Sequence, residues 1–180
     1  MGRSVLGGHM GDPCSVTHTR IVNLAHGRQL LIRPLRNGDV ETVLDVFERL
    51  GERSRRARFN GAKPRLRDAE LAHLAAVDAT RHALVGYLPG DPRPIALARI
   101  VRDGASAEIA FEVVDEYQGR GIGSVLTAEL VGDARAAGVR EVTALVAADN
   151  GAALALLRRI LDRLEVRFEG SELAVRAALA

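Results

Sequence analysis

The chain has 180 residues, 47% of them apolar and 27% charged, with 18 glycines, 6 prolines and one cysteine, the make-up of one globular domain with one core. Its 25 basic and 23 acidic side chains leave a formal charge of +2, which excludes a nucleic-acid protein built on a uniformly basic surface and a disordered acidic chain. No run approaches the roughly 20 apolar residues of a membrane helix, and the lone Cys14 excludes an internal disulfide framework and a cysteine zinc cluster. Neither metal nor membrane is expected, and the cytoplasm is the expected compartment.

In chain order, residues 1–19 read as a leader or disordered start, and residues 20–180 as a single domain. RIVNL from Arg20 and QLLIRPL from Gln29 predict two short strands around a Gly27-containing turn. Asp39 offers a cap, and Val40, Val43, Leu44, Phe47 and Leu50 recur at helical spacing up to Gly51. Between Arg49 and Arg67 the basic residues Arg53, Arg55, Arg56, Arg58, Lys63 and Arg65, broken by Gly61 and Pro64, predict an exposed, loop-rich connection. Asp68 is the expected cap of a second helix through Leu71, Leu74, Ala75 and Val77. HALVGYL and PIALARIVRD read as adjacent strands linked across Pro89-Gly90-Asp91-Pro92.

SAEIAFEVVD then alternates as a pleated strand requires, with Glu108 and Glu112 on one face. After QGRGIG, the positions Ile122, Val125, Leu126, Leu130, Ala134 and Ala137 keep helical spacing until Gly138. VTALVA predicts a strand, Asn150 a cap, ALALLRRIL a helix, and LEVRF with ELAVRAAL a closing hairpin. The expected fold is α/β (α+β): a mixed, mostly antiparallel sheet of about seven strands with helices on both faces.

A strand that runs through Gln118-Gly119-Arg120-Gly121-Ile122-Gly123-Ser124 into a helix leaves main-chain N–H groups unpaired at the positive end of the helix dipole, an arrangement that binds phosphate. A Walker A loop would need Gly-Lys-Ser/Thr at its end, and a dinucleotide fingerprint a third glycine where Ser124 stands; neither template fits. Gln118, Gly121 and Gly123 do match the Gln/Arg-x-x-Gly-x-Gly/Ala signature, and the chain resembles the GNAT N-acetyltransferase superfamily from about Ile32 onward. AEIAFEVVDEYQGRGIG is most similar to the catalytic domains of bacterial protein-lysine acetyltransferases.

The resemblance implies that acetyl-CoA is the cosubstrate, with its diphosphate on the N–H groups of Gly119, Arg120, Gly121, Ile122, Gly123 and Ser124. It implies that main chain at Val113 and Val114 pairs with the pantetheine arm and supplies the oxyanion donor, and that Asn150 contacts that arm; as an N-cap, Asn150 has an equally good structural role. Glu108 falls where such enzymes carry the general base, which is needed because an amine with a reference pKa of about 10.4 is protonated near neutrality. A plain solvent-facing carboxylate at Glu108 is one alternative, and Glu112 on the same face as the base is another. Many relatives carry a tyrosine seven residues after the asparagine as general acid; here Leu157 stands there, and that role is unassigned. Arg120, Arg158 and Arg159 are further candidates for the phosphates, while His73 and His82 read as structural.

The expected activity is acetyl transfer to a primary amine, a protein lysine first, by a monomer or homodimer. A small-molecule amine is the rival acceptor, and a non-catalytic acyl-CoA sensor the rival of another class. With so few residues before Arg20, built-in regulation by a second domain is not expected.

Overall fold

The computed structural model describes residues 18–179; residues 1–17 of the expected leader, Cys14 among them, lie outside the described residues. β1 (Arg20–Asn23) and β2 (Gln29–Pro34) form the expected hairpin around a 3-10 turn at Ala25–Gly27. α1 (Val40–Glu48) begins at Asp39, whose carboxylate accepts from the Thr42 N–H at 3.1 Å.

The arginine-rich stretch differs from its expectation, since it holds a helix, α2 (Glu52–Phe59). No residue of α2 is buried, so it carries no apolar periodicity; tertiary bonds hold it instead. Arg55 donates to Phe47 O at 3.2 Å, Glu48 O at 2.8 Å and Pro64 O at 3.0 Å, closing the carbonyl end of α1, and the Phe59 ring meets Phe47 edge-on at 5.7 Å. α3 (Asp68–Ala75) is shorter than expected: Ala76 is already extended, so Val77 lies beyond it. Its cap position is Arg67 rather than Asp68, and the Arg67 N–H donates to the Glu70 carboxylate at 2.9 Å.

β3 (Arg81–Tyr87), β4 (Pro94–Asp103) and β5 (Ser106–Val113) follow as antiparallel neighbours, then α4 (Ile122–Ala136), β6 (Glu141–Ala147), α5 (Gly151–Ile160), β7 (Glu165–Glu169) and β8 (Glu172–Ala178). The sheet has eight strands in the order β1-β2-β3-β4-β5-β6-β8-β7, against the sum of about seven expected, and each of the eight falls on a segment read as a strand in the sequence. Every neighbouring pair is antiparallel except β5 and β6.

Two cores lie on the two faces. Ile122, Leu126 and Leu130 of α4 and Leu157 of α5 pack with Ala96, Ala98, Ile100, Ile109 and Val142, where alanines on β4 let the α4 axis approach closely. On the other face Val43, Val46 and Phe47 of α1 cover Ala83, Val85 and Leu97. His82, expected to be structural, is buried, with Nε2 2.9 Å from an Asp133 oxygen of α4. Among the described residues no helix is long and apolar enough to cross a membrane, and no group of three or more His, Cys, Asp or Glu could hold a metal ion.

Candidate active site

β5 and β6 are in register over three residues only, Ser106↔Glu141, Ala107↔Val142 and Glu108↔Thr143. Beyond Glu108, β5 stays with β4 as far as Val113, while β6 stays with β8 as far as Ala147, so the two strands part and leave a cleft with Glu108 at its vertex. Which main-chain groups face the cleft follows from the antiparallel ladder. The Val114 N–H donates to Ile95 O at 2.9 Å, toward β4, so the alternation turns the N–H groups of Phe111 and Val113 toward the opening. The Val114 carbonyl accepts from the Tyr117 N–H at 2.9 Å; both of its polar groups are thus internal, unlike the exposed main chain expected there. At Val113 the carbonyl accepts from Gln118 Nε2 at 2.9 Å, which leaves its N–H for the cleft. At about 3.3 Å per residue, the free edge from Ile109 to Val113 is roughly 13 Å long.

The far end of that edge is the glycine loop. A 3-10 turn at Asp115–Tyr117 reverses the chain, Gly119 and Gly121 take φ of +71° and +80°, and α4 begins at Ile122 without a side-chain cap. A Cβ at either glycine would meet no neighbour within 4 Å; the requirement is conformational, and the loop's outer side is open. The first helical bond of α4 is Val125 N–H to Gly121 O at 3.0 Å. The six N–H groups from Gly119 to Ser124 therefore donate to no acceptor among the described residues, at the positive end of a 15-residue helix. This set fits a diphosphate: donors in excess, no acidic side chain among them, and no Cβ at the two turning points. Gly123 serves a different end, since a Cβ there would lie 3.0 Å from Leu156 Cδ1 and 3.3 Å from Val113 Cγ2; its absence lets α4 close on α5 and β5.

Three residues expected at the cofactor have other partners. Gln118 Nε2 donates to Val113 O at 2.9 Å and to Ser54 Oγ at 3.1 Å, and its own N–H donates to Asp115 O at 3.1 Å. Gln118 thus ties the loop to β5 and α2. The Arg120 guanidinium folds back onto Glu116 O at 2.7 Å and over the Tyr117 ring at 5.3 Å. Asn150 is the N-cap of α5, its side-chain oxygen accepting from the Ala153 N–H at 3.1 Å. Local sequence gave no sign of a further set of ties, made by residues more than 60 positions apart: Arg49 to Glu116 at 3.0 Å, the Gly51 N–H to Asp115 at 3.2 Å, and Ser54 to Gln118. They fasten the turn before the loop to α1 and α2.

The two carboxylates on β5 face the α1–α3 side, as alternation requires, yet differ in surroundings. Glu112 is largely covered and ion-paired with Arg58 of α2, both side chains under 15% exposed. Next to it lies Arg99, whose guanidinium burial pushes below its ordinary value while Glu112 favours its charge. Glu108 is exposed and has neither a hydrogen bond nor an ion pair among the described residues. Leu157 is fully buried in the core beneath α5 and brings no proton to the cleft.

Known proteins share this fold. The chain is 37% identical over 158 residues to the acetyltransferase Pat of Mycolicibacterium smegmatis, across 86% of this chain and 46% of that protein. It is 32% identical over 138 residues to the acetyltransferase PA5475 of Pseudomonas aeruginosa, across 73% of this chain and 74% of the other. Among solved structures, the GNAT domain of S. lividans PAT superposes with a TM-score of 0.80 at 26% identity, over 89% of this chain and 97% of that domain. The cAMP-binding acyltransferase from Mycobacterium smegmatis gives 0.65 at 30% identity, over 91% of this chain and 48% of its own length. The chain thus spans about half of the Mycolicibacterium relative. Residues 42–162, which hold most of α1, the cleft, the glycine loop and α5, match the acetyltransferase (GNAT) family, and the chain belongs to that family.

Proposed function

We propose that the protein moves an acetyl group from acetyl-CoA to the side-chain amine of a protein lysine, with Glu108 as general base. The observation that carries the reading is an unpartnered carboxylate at the vertex of a cleft whose far end is a row of six free amides. The resemblance of AEIAFEVVDEYQGRGIG to bacterial protein-lysine acetyltransferases, beside the similarity to the acetyltransferase Pat and the GNAT domain of PAT, supports a protein acceptor.

Acetyl-CoA supplies an activated thioester acyl group. The N–H groups of Gly119 to Ser124 hold its diphosphate, and that of Val113, beside the loop, pairs with the arm as an added strand would. Glu108 takes the proton from the acceptor ammonium, directly or through water, so that a neutral amine attacks. With the Val114 N–H on Ile95 O, donation to the developing oxyanion falls to the cleft-facing N–H of Phe111, which lies nearer Glu108. Arg58 keeps Glu112 ion-paired and so leaves proton transfer to Glu108.

The test is CoA release with lysyl peptides, comparing wild type with Glu108→Gln. The variant loses at least about tenfold in kcat while its thermal stabilisation by acetyl-CoA is retained. Equal rates move the base to Glu112 or to water. A second reading, a non-catalytic acyl-CoA binder, draws on Leu157, which is buried where many relatives place a general acid. Absence of turnover with every amine, with acetyl-CoA bound, would favour it.

A further inference from the structure

Glu108 opens onto more than the cleft. The register Glu108↔Thr143, Thr143↔Arg176, Arg176↔Glu165 puts one residue from each of β5, β6, β8 and β7 in a single row across the sheet, all on the face away from α4 and α5. Thr143 and, one row on, Ala174 are small, so the row is the floor of a trough of about 250 Å³ reaching from Glu108 to the edge strand. Leu145, 48% exposed, gives it an apolar strip on which an aliphatic side-chain stem can lie. Within the row Arg176 already pairs with Glu141 at 3.4 Å. Glu165, like Glu108, has no partner among the described residues and is exposed. The row therefore ends in two free carboxylates. Arg167 faces Ala174 in the neighbouring row, and Glu169, which also lines the trough, lies one row further on, about 14 Å along β7 from Glu165.

The spacing suits an extended peptide. Three strand intervals of about 4.8 Å separate Glu108 from Glu165 by roughly 14 Å, and about four residues of extended chain at some 3.4 Å each cover the same distance with both side chains on one side. We infer that this row is the acceptor track: an extended segment of a partner protein lays its acceptor lysine at Glu108 and a second cation, about four residues away, at Glu165. The inference deepens the acetyl-transfer reading above and rests on it.

Short fluorescein-labelled peptides with one lysine, carrying arginine, alanine or glutamate at that spacing on both sides, test it in the presence of coenzyme A. Wild type binds the arginine peptide about threefold to fivefold more tightly than the glutamate peptide, the scale of an exposed ion pair, and Glu165→Lys reverses the order. Both Glu165 and the control Glu169 are exposed on the edge strand, and unchanged melting temperatures verify that the variants fold. Glu169→Lys keeps the wild-type order; reversal by both variants would mean bulk charge and would overturn the track. Equal binding of all peptides by wild type and Glu165→Lys overturns it as well. Transfer to the same peptides is read in parallel. Discriminating binding without transfer removes the transferase reading and leaves the track, transfer without discrimination does the opposite, and the absence of both removes both.

Discussion

Glu108 and Glu112 share a face of β5, and their different partners come from elements far away in sequence. Alternation alone made them equivalent; Arg58, on a helix that the composition disguises, binds Glu112 and leaves Glu108 free. The glycines of the loop also divide by cause. Gly119 and Gly121 are set by positive φ and Gly123 by the closeness of α4, α5 and β5, whereas the sequence motif lists them alike. Gly121→Asp therefore combines an unfavourable backbone, at a cost of about 1–2 kcal/mol, with a negative charge against the free amides. The expected result is a thermal shift by acetyl-CoA that vanishes, while the ligand-free melting temperature falls only by the backbone cost. A shift of wild-type size would place the diphosphate elsewhere.

At the level of elements, the strands and α4 were readable because each buries a periodic set: Ala107 and Ile109 alternate toward the core, and Ile122, Leu126 and Leu130 recur toward β4. α2 was not, because its stability comes from Arg55 on the α1 carbonyls and Phe59 on Phe47, contacts with no period. α3 is an intermediate case. Its start depends on Glu70, which pairs with Lys63 and accepts from the Arg67 N–H, and these bonds, the Lys63 one foremost, lower its carboxyl from the ordinary 4.5 to about 2. A carboxyl held low in the folded state contributes stability that is full above about 4.5 and is lost as the pH falls through about 2. Glu70→Gln should accordingly melt below wild type at pH 7, with the gap closing through that window. Thermal melts at several pH values read this directly; a gap independent of pH would assign the loss to packing instead of charge.

For the molecule as a whole, the feature least legible in the sequence is the parting of β5 from β6, since it depends on β6 taking β8 as its lasting neighbour rather than on any residue in either strand. The motif could announce the loop but not the cleft that leads to it. Between them α4 does two jobs: its first turn presents the amides, and its buried side joins the larger core. These jobs are separable, because Leu130 is fully buried two turns beyond the loop. Leu130→Ala should cost about 2–5 kcal/mol in denaturant unfolding through the lost methyl contacts and the cavity left behind. If the cradle is formed by main chain at the helix start alone, coenzyme A at a hundred times its Kd should still add about 2.7 kcal/mol to both wild type and variant. The two denaturation curves, each with and without ligand, would then differ by one constant offset. A variant that loses its ligand-dependent gain together with its core would show that the amides are aligned only when α4 is packed along its length.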